Sequence, residues 1–112
     1  LPRKIGEARA KHLMMTGGTI SAAEMKEAGL VTQLVAPEDL IAAAQALVES
    51  LAEKSRPGLA YMKQLVRAAQ DSSLEVGLRQ ELEAMAAYAL SNDIVEGLAA
   101  FREKRKPDFS DR

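Results

Sequence analysis

Three times in this sequence a short polar residue stands three places before a glutamate and just ahead of an apolar run: Ser21 and Glu24, Ser72 and Glu75, Asp93 and Glu96. The first four N–H groups of a helix have no partner within the helix. A Ser, Thr or Asp side chain takes up one of them, and a glutamate three residues on bonds back to the capping residue. The spacing therefore predicts helix starts at about residues 22, 73 and 94. Ile20 and Met25 flank the first cap as a hydrophobic staple would. Gly29 follows as the expected stop, with Leu30 folding back on Met25.

The remaining punctuation fills in the chain. Pro2 opens a first helix that is expected to reach Met15, with Gly6 its one weak point, and Thr16-Gly17-Gly18-Thr19 ends it. Pro37 opens a third helix with a stripe of Leu40, Ile41, Ala44, Leu47, Val48 and Leu51, stopping near Lys54 to Gly58. A fourth carries Leu59, Met62, Leu65, Val66 and Ala69, and Asp71-Ser72-Ser73 breaks it. The expected buried face of the fifth is Leu78, Leu82, Met85, Ala86 and Ala89; that of the sixth is Ile94, Val95, Leu98 and Phe101. Pro107 ends the last helix. Between them Leu30 to Val35 reads as a short strand. The expectation is a mainly α chain: six helices and one short strand that has no pairing partner in the sequence.

Composition supports this and removes other classes. The apolar share, 47%, is mostly Ala, Leu and Met, with no Trp, two Tyr and two Phe. These are helix formers. A core of small side chains buries less area per residue than an aromatic one, so a further covering surface is expected. Fifteen basic and 16 acidic residues are well mixed, which argues against nucleic-acid binding. No apolar run approaches a membrane span. No cysteine and one histidine exclude disulfides, a cysteine nucleophile and a multi-histidine metal site. The opening Leu1-Pro2-Arg3-Lys4 is neither a signal peptide nor an initiator Met, as a fragment of a longer, cytoplasmic protein would begin.

Few residues invite a chemical reading. His12 lies mid-helix with no orienting partner nearby, so a surface role is favoured over a general base. Thr16-Gly17-Gly18-Thr19 lacks the lysine of a phosphate loop and follows a helix C-terminus, whose carbonyls repel phosphate. The carboxylates fall mostly on polar helix faces. Lys104, Arg105 and Lys106 form a small basic cluster. It either complements the last helix's negative end or contacts a phosphate, and the residues alone favour the first.

Three stretches taken in order resemble the crotonase (enoyl-CoA hydratase/isomerase) family. The first runs from Leu1-Pro2-Arg3-Lys4 through Thr16-Gly17 and Ile20-Ser21-Ala22-Ala23-Glu24-Met25 to Ala28-Gly29-Leu30-Val31. The second is the Pro37 to Ser55 helix followed by Lys63. The third is Asp93, Glu96-Gly97-Leu98-Ala99-Ala100-Phe101 and Arg102 to Phe109. The resemblance covers nearly all 112 residues. It implies that residues 1–36 end a ββα-superhelix core and that 37–112 form a C-terminal helical oligomerisation region. An N-terminal catalytic domain would then be absent, and no catalytic position of the family falls in this chain. It further implies an acyl-CoA thioester substrate, no cofactor or metal, trimers or hexamers, and hydration of a 2-enoyl-CoA, with isomerisation or a non-catalytic assembly module as alternatives. Lys104 matches a family lysine that reaches the coenzyme A nucleotide end bound to a neighbouring subunit. Met85 matches a bulky, often aromatic, position near the acyl pocket.

Overall fold

A computed structural model describes residues 1–109. Among them are seven α-helices: α1 (Pro2–Ile5), α2 (Glu7–Thr16), α3 (Ala22–Glu27), α4 (Leu40–Ala52), α5 (Arg56–Ala68), α6 (Leu74–Ala89) and α7 (Asn92–Glu103). A 3-10 turn at Pro37–Asp39 leads into α4. The chain divides into two compact units, Leu1–Ala44 and Gln45–Arg112.

In the first unit the capped helix forms as its sequence requires. The Glu24 amide donates to Ser21 Oγ at 3.2 Å, and Glu24 Oε2 accepts from the Ser21 amide at 2.8 Å. The Ser21 hydroxyl donates to the same oxygen at 2.6 Å. At the other end the Leu30 amide reaches the Met25 carbonyl at 2.8 Å, which closes a Schellman turn. Ile20, Met25 and Leu30 are half-buried, as the staple and the turn demand. The first helix, in contrast, is two. Gly6 at φ 83°, ψ 154° separates α1 from α2. That backbone conformation is open to glycine and strained for other residues, so the weak point is a full break. The Leu30 to Val35 strand is not formed: these residues are a connector, and no strand occurs among the described residues. A ladder needs a second edge to exchange hydrogen bonds with.

The Ser21–Glu24 box is expected to contribute to the stability of the first unit. Its two Ser21 donors, hydroxyl first and amide second, hold the Glu24 carboxyl below its ordinary value; slight desolvation opposes this and Arg9, 4.0 Å away, adds to it. A depressed carboxyl stabilises the folded state above its unfolded pKa, and that contribution fades as pH falls through the folded value. Ser21→Ala is expected to lower stability by about 1 kcal/mol near neutrality. The deficit should shrink in acid, where the wild-type box is itself protonated. Denaturation midpoints of both forms across that range test this.

In the second unit α5 and α6 pack as an antiparallel pair. Gly58, near the start of α5, faces Tyr88, near the end of α6; a Cβ built at Gly58 would lie 3.6 Å from the Tyr88 ring. Tyr61, Leu65 and Ala68 of α5 line the seam with Gln80, Ala84 and Ala87 of α6. The half-buried residues of α6 are thus Gly77, Gln80, Ala84 and Tyr88, while the expected face, Leu78, Leu82 and Met85, is exposed. In α7, Ile94 is half-buried, but Val95 and Leu98 are exposed and Phe101 is 83% exposed. The α4 stripe is open from Leu40 to Leu51. The only apolar residues that are fully enclosed, among those described, are Ala10 and Ala100, each 1% exposed.

Two caps also move. Ser73, not Ser72, caps α6, its Oγ accepting from the Val76 amide at 3.4 Å. Ser72 turns back to the Ala68 carbonyl at 2.8 Å. Ser91, not Asp93, caps α7, accepting from the Ile94 amide at 3.4 Å. Asp93 is buried in the first turn, at the positive end of the helix. Ser55, which the sequence reading passed over, is a buried cap for α5, taking the Gly58 amide at 3.1 Å.

Candidate functional site

The basic cluster after α7 is a built turn. Its first residue, Lys104, has φ 54° and ψ 38°, the only non-glycine residue at positive φ among those described. The Arg105 amide then bonds back to the Ala100 carbonyl at 3.0 Å and the Lys104 amide to Phe101 at 3.3 Å. This is a Schellman-type end with lysine at the position that usually holds glycine.

The turn is further held by Glu96, one long carboxylate seven residues before the end of α7. Its Oε1 and Oε2 accept from the two terminal nitrogens of Arg105 at 2.5 and 3.0 Å. Oε1 also accepts from the Asp108 amide at 2.7 Å. The Glu96 side chain is only 16% exposed. Glu103 takes the Arg105 Nε at 2.6 Å, and the Lys106 carbonyl accepts from Nη1 at 3.1 Å. Glu96 first and Glu103 second hold the Arg105 guanidinium above its ordinary pKa.

The three cations are therefore sorted. Arg105 is committed to the turn. Lys106 lines a shallow depression with Lys54 and with two carboxylates, Glu53 and Asp108. Lys104 projects from the turn itself and is exposed. Its ammonium forms no hydrogen bond or ion pair with another described residue.

Met85 lines a groove of about 670 Å³ with Leu51, Leu59, Met62, Leu65, Tyr88 and Phe109. The lining is mostly apolar, which suits a hydrocarbon; Glu81 and Lys54 are its charged members, and it holds no pair of carboxylates. Lys104 is not among its lining residues. His12 is an exposed residue of α2 whose carbonyl accepts from the Thr16 hydroxyl at 2.7 Å. No group of three His, Cys, Asp or Glu among the described residues is placed to hold a metal ion. No described helix is long and apolar enough to cross a membrane.

Comparison with known proteins gives these features a context. A family model described as enoyl-CoA hydratase/isomerase matches residues 1–112. A probable enoyl-CoA hydratase of Mycobacterium leprae is 38% identical over 112 residues, which is 100% of this chain and 44% of the relative. A mitochondrial enoyl-CoA hydratase of Pongo abelii is 36% identical over 112 residues, again all of this chain and 39% of that protein. The crystal structure of an enoyl-CoA hydratase subunit from Geobacillus kaustophilus superposes with a TM-score of 0.94 at 36% identity, covering 99% of this chain and 43% of that one. The chain thus spans less than half the length of the relatives it matches. Its helical fold is that of a crotonase-type region, and the chain belongs to the enoyl-CoA hydratase/isomerase family.

Proposed function

We propose that this chain is the C-terminal helical region of an acyl-CoA-processing enzyme, with residues 1–36 completing a catalytic core and 37–112 forming the oligomerisation region. The family match along the whole chain carries this reading. The parent's reaction is hydration of a 2-enoyl-CoA. Preorganised N–H donors outside these 112 residues would stabilise the thioester enolate. Carboxylates there would move the protons. Isomerisation of the double bond is the alternative, and it differs in which carbon receives the proton. The substrate is a coenzyme A thioester, with no metal or further cofactor, and the assembly is a trimer or a hexamer of this chain's parent. The open apolar stripes of α4 and α6 are consistent with that assembly.

Within this reading Lys104 contacts the nucleotide end of coenzyme A, and Met85 lies beside the acyl chain. The nucleotide is remote from the reacting carbons, so its contact acts equally in ground and transition states. Lys104→Ala in the complete enzyme is expected to raise KM for acyl-CoA by a few-fold, from a loss of roughly 0.5–1 kcal/mol, and to leave kcat unchanged. The effect should fade at high salt. Lys104→Gly separates charge from backbone: it removes the same cation but relieves a left-handed residue, whose strain is about 1–2 kcal/mol. It should raise KM as Lys104→Ala does while increasing thermal stability. An unchanged KM at low salt in both variants removes the nucleotide role.

A further inference from the structure

The Glu96 clasp goes beyond ending a helix. A residue other than glycine in the left-handed region persists only where its surroundings over-determine it. Here the surroundings are the backbone bonds of the Lys104 and Arg105 amides to α7 and, beyond them, chiefly one carboxylate. Glu96 grips residue 105 through a two-pronged guanidinium pair and residue 108 through its amide, so the backbone on the C-terminal side of Lys104 is tied to α7 at two points. Such paired bonds fix geometry as well as supply attraction. On the N-terminal side Lys104 is continuous with α7 itself. Released from Glu96, residue 104 would be held against its strain only by the backbone bonds of the helix end and the Glu103 contact to Arg105, and its side chain would be freer to leave by another direction. The carboxylate also keeps Arg105, the stronger phosphate binder of the cluster, from competing for an anion.

We propose that Glu96 is a positioning residue for coenzyme A: by clasping Arg105 and the Asp108 amide it holds the Lys104 turn, and so aims the Lys104 ammonium at the nucleotide phosphate. This rests on the nucleotide role of Lys104 given above. Glu96 touches no substrate. It acts through Lys104, so its effect exists only where both Lys104 and a nucleotide are present.

That dependence supplies the test. Glu96→Gln, Lys104→Ala and the double variant are made in the complete enzyme and assayed with crotonyl-CoA and with crotonyl-pantetheine, which lacks the nucleotide. Glu96→Gln is expected to raise KM for crotonyl-CoA roughly two- to five-fold at unchanged kcat, the range of an exposed charge contact. It should leave kcat/KM for crotonyl-pantetheine as it was, and add nothing in the Lys104→Ala background. If Lys104→Ala raises KM and Glu96→Gln does not, the positioning role is wrong and the nucleotide reading stands. If Lys104→Ala changes nothing, the nucleotide reading itself fails. Equal losses with both thioesters, or a fall in kcat, would make Glu96 a structural residue only. Arg105→Gln leaves Glu96 its bond to the Asp108 amide; it replaces Glu96→Gln where that variant does not fold, and is held to the same outcomes.

Discussion

The 112-residue chain alone is expected to hydrate or isomerise no crotonyl-CoA above a matched blank. The chemistry needs donors preset around the thioester oxygen, and losing one such donor costs on the order of a hundred- to a thousand-fold in other enzymes. It also needs a positioned acid and base, worth about a hundred- to ten-thousand-fold. The described residues offer neither. Asp93 is buried in the first turn of α7, and Glu96 is taken up by Arg105 and the tail. Glu24 is bound within its own cap, and His12 stands on an exposed helix face. The groove beside Met85 is lined by a single carboxylate, Glu81, and by Lys54, so no pair of carboxylates faces across it. Measured turnover by the purified chain would overturn the placing of catalysis outside these residues.

What could be read from the sequence was what is local. The Ser21 box closes within four residues, and all its partners are named by the motif. The second box failed by one residue because two serines adjoin: Ser73 caps, while Ser72 belongs to the turn that ends α5. The third failed because its glutamate has other work. Glu96 is nine residues from Arg105 and twelve from the Asp108 amide. No local pattern marks that pairing, so the clasp was not foreseen, although the cluster it orders was. A lysine where helix ends usually carry glycine was the one available hint, and it is visible only once the end of α7 is known.

The misread faces have a different cause. Hydrophobic periodicity reports which side of a helix is apolar. It does not report which side meets another helix of the same chain. In α6 these are different sides: Gln80 and Ala84 line the seam with α5, while Leu78, Leu82 and Met85 remain outside. On the α6 side the seam is lined by Gln80, Ala84 and Ala87, and the larger apolar side chains of α6 are left for another surface. Crotonase-family membership fits this division, since the chain spans less than half of its relatives.

The open faces lead to the second large effect: purified alone, the chain should self-associate at micromolar concentration. Ile41, Leu47, Val48 and Leu51 of α4 and Leu74, Leu78, Leu82 and Met85 of α6 are all exposed. Fully covering such a side chain is worth about 1.5–3 kcal/mol. These eight side chains are 43–80% exposed, so two broad apolar faces remain uncovered and favour association. Light scattering should give dimers or larger species. Leu78→Glu combined with Leu82→Glu, both outside the α5–α6 seam, should shift the mass toward monomer while circular dichroism keeps its helical signal. A wild-type monomer at tens of micromolar with a cooperative melt would mean that the chain closes its apolar stripes on itself, and the assembly role assigned to residues 37–112 would lose its support.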